Sequence, residues 1–129
     1  MPNDIMTLLA DSRWKVIFTD PGAWRVGLYR PEHDSAVKVE VLEKHSCPEL
    51  FVCMGGRAGL IVKDASGERI EELGPGQAVL VTGYHNGFAI DPAGYFLVVE
   101  RTDFETEYAD RATGAIQKRV TVGNGAGSR

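Results

Sequence analysis

Cysteine is scarce in this sequence. Cys47 and Cys53 are the only two, too few for a disulfide scaffold and not at the C-x-x-C spacing of a redox motif. Both read as reduced thiols of a cytoplasmic protein. A basic excess is missing as well: 14 Lys and Arg stand against 18 Asp and Glu, for a net charge of −4. That balance argues against a nucleic-acid binder, whose affinity comes largely from neutralising phosphates. No apolar run approaches the ~20 residues that span a bilayer. The opening residues lack the basic and apolar regions of a secretory leader. The expected partners therefore include no nucleic acid and no membrane. Helical periodicity between the apolar runs is missing too, which excludes the βαβ units of a parallel sheet.

What the chain does have is punctuation. Fifteen glycines and six prolines separate short runs rich in Val, Ile, Leu, Phe and Tyr, at 14–18, 24–29, 36–42, 50–54, 60–63, 78–81 and 95–100. Short strands at this spacing predict an all-β sandwich or barrel. In Ala36-Val37-Lys38-Val39-Glu40-Val41 apolar and polar residues alternate, so the valines share one face. Residues 63–69 are polar around Gly67 and predict a hairpin; residues 73–76 predict another turn. Gly55-Gly56-Arg57-Ala58-Gly59 joins two strands. It lacks the following helix that a phosphate loop needs, so it reads as a β-turn. Helix is confined to a short N-terminal helix or arm over residues 4–10, with Asn3 as its cap, and a second short stretch over 104–112. A length of 129 residues fits one domain, set at residues 1–122 with its core at about 37–100. Residues 123–129, mostly glycine and small polar residues, predict a disordered tail.

Three histidines remain to be explained. His33 lies in a polar loop and reads as solvated. His45 sits at the end of Val41-Leu42-Glu43-Lys44-His45, where Val39, Val41, Glu43 and His45 share parity. If that face is interior, a carboxylate and an imidazole point into an apolar space, at a cost of several kcal/mol unless paired. A metal ion is the simplest partner. Pro48 breaks the strand, and the turn can return Glu49 beside His45. His85 follows the strand at 78–81. Each residue also has a plain alternative: Glu43 as a surface carboxylate, His45 capping a hydrogen-bond network, Glu49 exposed beside Pro48, His85 bonded within its loop. Tyr84, adjacent to His85, is the best candidate to touch a ligand or move a proton. Cys53 reads as a small core residue.

This pattern resembles the cupin superfamily of small antiparallel β-barrels. His45, Glu49 and Gly56 match the second His, the Glu and the Gly of that family's first motif. Gly76 and His85 match the Gly and His of the second. The chain departs from the pattern at Glu43, where the family carries its first His, and at Thr82, where it carries a Pro. The resemblance implies a double-sheet jelly-roll barrel, a homodimer, and a divalent metal held by Glu43, His45, Glu49 and His85. Mixed nitrogen and oxygen ligation suits Fe, Mn, Ni, Co or Zn. The expected function is that of a small metal-binding cupin that acts on or binds a small polar molecule. A non-catalytic binding or sensing module with a degenerate or absent metal site is the alternative, and a barrel with no site at all is a third.

Overall fold

The computed structural model describes residues 5–123. Eleven strands run through them: β1 (Trp14–Asp20), β2 (Trp24–Tyr29), β3 (Val41–His45), β4 (Glu49–Gly55), β5 (Ala58–Asp64), β6 (Gly67–Leu73), β7 (Ala78–Val81), β8 (Tyr84–Ala89), β9 (Tyr95–Arg101), β10 (Phe104–Asp110) and β11 (Ile116–Val122). They form two antiparallel sheets, a five-stranded one in the order β1-β2-β9-β4-β7 and a six-stranded one in the order β11-β10-β3-β8-β5-β6. The all-β expectation holds.

Three local expectations do not. Residues 5–10 contain no helix, so the N-terminal helix is replaced by an irregular arm; its expected cap and first residue, Asn3 and Asp4, lie outside the described residues. Residues 104–112, expected to be helical, are strand β10 and the start of the next turn. Their apolar and β-branched residues pack on a pleated surface, and that packing overrides a weak helical pattern. The strand expected over 36–42 begins instead as a single 3-10 turn at Ala36–Lys38, with β3 starting at Val41. The guanidinium of Arg111 fixes this turn by donating to the carbonyls of Ala36 and Val39. Of the expected tail, only Gly123 lies within the described residues.

The turns follow from their residues. In the β5–β6 hairpin the Asp64 carboxylate accepts from the Ser66 amide at 2.9 Å, and Gly67 supplies φ 118°, as the turn reading required. Gly56, between β4 and β5, has φ 57°. A Cβ there would lie 2.3 Å from Asp91 Oδ1 and 2.7 Å from the Ala93 backbone, so only glycine fits.

The core lies between the sheets. Tyr29, Phe51 and Phe96 meet at ring-centroid separations of 5.5–6.3 Å, packed with Leu60, Val62, Val81 and Val98. Removing Phe51 to alanine from such a site costs about 3–5 kcal/mol. This cluster is the floor on which the polar residues of the next section rest: the Phe51 ring meets the His85 ring edge-on at 5.4 Å.

Candidate metal centre

Strand alternation delivers the polar cluster. On β3, Glu43 and His45 are buried while Lys44 between them is exposed, the inward Glu-x-His pair read from parity. His85 stands directly across from Glu43 in the β3–β8 pairing and is buried. These three come from the six-stranded sheet. Glu49 comes from the other one: it opens β4 and is 1% exposed, aimed across the barrel interior. The structure thus brings together all four residues expected to ligate a metal.

The donor atoms converge. His45 Nε2 lies 3.1 Å from Glu43 Oε1 and 2.7 Å from Glu49 Oε1, and His85 Nε2 lies 3.3 Å from Glu49 Oε1. Ligands bound at ~2.0–2.2 Å and at right angles about an ion stand roughly 3 Å apart, so these separations suit a shared ion. Two overlapping groups of donors share His45, and the second brings in Glu100. Donors of Glu43, His45 and His85 lie within 4.8 Å of one another, as do those of His45, Glu49 and Glu100.

Both imidazoles are held from behind. His85 Nδ1 lies 3.0 Å from the Gly83 carbonyl. A carbonyl only accepts, so Nδ1 carries the hydrogen, and in the neutral ring Nε2 presents its lone pair to the cluster. His45 Nδ1 lies 2.7 Å from the Thr106 hydroxyl, which can accept from it in the same way. Outer partners of this kind fix the tautomer and ring orientation of metal-binding histidines.

Two charged neighbours, one acidic and one basic, carry no sequence signal. Glu100 on β9 is buried and accepts from Arg25 Nε and Nη2, both at 2.7 Å. Arg25 is 1% exposed and lies over the rings of Trp14 and Phe104, 5.4 Å from each centroid. Neither residue belongs to a motif; only the inward parity of β2 and β9 marks them. Three carboxylates and one guanidinium are buried together in a space walled by Phe51 and Phe104, and when ionised they carry two excess negative charges. Burying them without compensation would be costly. A divalent cation, or two imidazolium ions, restores the balance.

Tyr84 is placed elsewhere. It alternates with His85 along β8 and so lies on the opposite face of the sheet. There its hydroxyl donates to Glu107 and Lys44 sits 5.7 Å over its ring. The bond to Glu107 raises the Tyr84 phenol above its ordinary pKa and lowers that of Glu107. Adjacency in sequence to His85 suggested a ligand contact, and the strand's period of two works against it. The tyrosine on the cluster's face is Tyr108, directly across from Glu43 in the β3–β10 pairing. Glu43, Asn86 and Tyr108 share a cavity of about 390 Å³ with His33, Arg13 and Lys38, and His33 is half-exposed in its loop. Cys53 is a core thiol, its pKa raised chiefly by burial. Cys47 is buried against Phe104 and Val122, and neither cysteine is in a disulfide.

No family model and no curated protein matches the chain. Solved structures do. A cupin 2 domain-containing protein from Halorhodospira halophila superposes with a TM-score of 0.57 at 18% identity, over 77% of this chain and 68% of that one. The cobalt(II) form of HppE in complex with its substrate gives 0.52 at 14% identity, over 74% and 57%. Oxalate decarboxylase gives 0.50 at 20% identity over 62% of this chain, and the match spans only 21% of the oxalate decarboxylase chain. The two-sheet antiparallel barrel, with its Glu and His residues gathered between the sheets, is the fold of a cupin.

Proposed function

We propose that this chain is a metal-dependent cupin that holds one divalent ion through Glu43, His45, Glu49 and His85 and receives a small polar molecule in the cavity beside Glu43. The observation that carries the reading is geometric: two buried carboxylates, Glu43 and Glu49, converge with two imidazole nitrogens at separations of 2.7–3.3 Å. Mixed imidazole and carboxylate donors favour Fe, Mn, Ni, Co or Zn over Cu(I). The cobalt present in one fold relative supports that range. Bound there, the ion would act as a Lewis acid or support oxygen chemistry. Of the four, Glu43 alone lines the cavity, and its side chain is the most exposed, at 10%. Thr106 and the Gly83 carbonyl hold the two imidazoles in the tautomer that ligation needs.

A metal-free binding module is the second reading. The 2.7 Å His45–Glu49 contact is also a good charge-assisted hydrogen bond, so protonated imidazoles could satisfy the cluster. Thermal unfolding with added Mn²⁺, Fe²⁺, Ni²⁺, Co²⁺ or Zn²⁺ separates the two. A metal bound only by the folded state raises the melting temperature with concentration. His85→Ala should abolish the rise while circular dichroism still reports a strand-rich fold, and Glu43→Gln should reduce it. A wild-type melting temperature indifferent to all five metals would leave the binding-module reading standing.

The same proposal includes a homodimer in a reducing, cytoplasmic setting. Two thiols without a disulfide support the compartment, and no helix among the described residues is long and apolar enough to cross a membrane. The outer face of the five-stranded sheet supports the dimer. There Val26, Val99, Leu50 and Leu80 stand in one cross-strand row, and Leu97 and Val52 in the next. Leu80 is 64% exposed. A two-fold partner covers such a face with its own copy.

A further inference from the structure

We propose that Tyr108 and Lys118 bind the carboxylate of a small anionic substrate beside the metal centre, an inference that rests on the metal reading above. Strand register carries it. His85 pairs with Glu43, Glu43 with Tyr108, and Tyr108 with Lys118. The four side chains therefore stand in one row across β8, β3, β10 and β11, on one face of the sheet, with neighbouring Cβ atoms ~5 Å apart. The first two belong to the ion. The next two lead out of the barrel, and Tyr108 lines the 390 Å³ cavity together with Glu43.

Lys118 points the same way, its Nζ 4.8 Å over the Tyr108 ring. It lies on β11, the edge strand of its sheet, where its neighbours are exposed, so it is free to reorient toward a ligand. The acid that follows Thr106 on β10, Glu107, projects from the opposite face and is engaged by Tyr84 and Arg119. Arg13 and Lys38 line the same cavity, together with Glu32 and Glu40. Arg13 pairs with Glu32 and Lys38 with Asp34, but these pairs are exposed and exchange readily for a ligand. A phenol hydroxyl and one ammonium supply two donors, which matches the two oxygens of a carboxylate. The positions were not marked by any motif. Lys118 stands out only once β11 is placed beside β10.

Cobalt(II)-loaded protein tests the assignment, with lactate as the anionic probe and lactamide as its neutral counterpart. Lactate should change the visible cobalt absorption in a saturable way, and lactamide at equal concentration should not. Lys118→Met and Tyr108→Phe should each weaken lactate roughly tenfold, the loss of one charge-assisted hydrogen bond, while cobalt content stays at the wild-type level. Equal binding of lactate and lactamide would overturn the inference, as would lactate affinity unchanged in Lys118→Met; in both cases cobalt uptake leaves the metal reading intact. Failure of the wild-type protein to take up cobalt would overturn both.

Discussion

Thr106 does for His45 what the Gly83 carbonyl does for His85. Its hydroxyl, 2.7 Å from Nδ1, sits in the β3–β10 pairing directly across from His45 and is itself buried. Replacing it with valine keeps the shape and the strand preference but removes the acceptor. We expect Thr106→Val to weaken metal affinity by about 10–100-fold, the usual effect of deleting such an outer partner, as measured by competitive titration against a chromophoric chelator. Tyr84→Phe should leave that affinity unchanged, since Tyr84 is bonded to Glu107 on the other face. A larger effect from Tyr84 than from Thr106 would contradict the placement of both. The four proposed ligands were legible in the sequence because their spacing resembles the motifs of a known family. Glu43 and His45 needed only the period of two. Thr106, Tyr108 and Glu100 were not legible, because their roles depend on which strands lie side by side, and register across a barrel is set by contacts far apart in the chain.

At the scale of elements, the 3-10 turn at Ala36–Lys38, β6 and the turn after β10 are tied together by one arginine. Arg111 reaches Glu68 with Nε and Nη2, both at 3.0 Å, while Nη1 holds the carbonyls of Ala36 and Val39. The hydrogen bond from Arg111, ahead of its charge, holds the Glu68 pKa below the ordinary carboxylate value of 4.5. A depressed carboxylate stabilises the fold fully above its unfolded pKa, and that contribution is lost as pH falls through the lower folded value. The wild-type protein should therefore lose more melting temperature between pH 7 and pH 3 than Glu68→Gln does; equal losses would show that the pair contributes nothing. The sequence could not announce this element. Alternating valines at 36–41 imitate a strand, and what turns residues 36–38 is a guanidinium more than seventy positions away. The same long-range dependence hid β10. Its edge-to-edge partners β3 and β11 make it a strand, although residues 104–112 alone read as helix.

At the scale of the whole molecule, the two sheets do different work. The six-stranded sheet carries Glu43, His45, His85 and the row leading to Lys118. The five-stranded sheet supplies Glu49 and the Arg25–Glu100 pair from its inner face and an apolar surface from its outer one. Closing the barrel assembles the centre, so the complete set of donors exists only in the folded chain. On the outer face, Val99→Arg should convert a dimer into a monomer. The wild-type light-scattering mass should be twice the 14.1 kDa of the chain, and a mass of one chain at every concentration would rule the dimer out. Both sheets converge on the proposed ion. Elemental analysis of protein purified without chelator and without a nickel column tests it most directly. Wild-type protein should carry about one divalent Fe, Mn, Ni, Co or Zn per chain, and a folded His85→Ala variant should carry none. Wild-type protein that carries none of these metals, and takes up none on exposure to them, would contradict it.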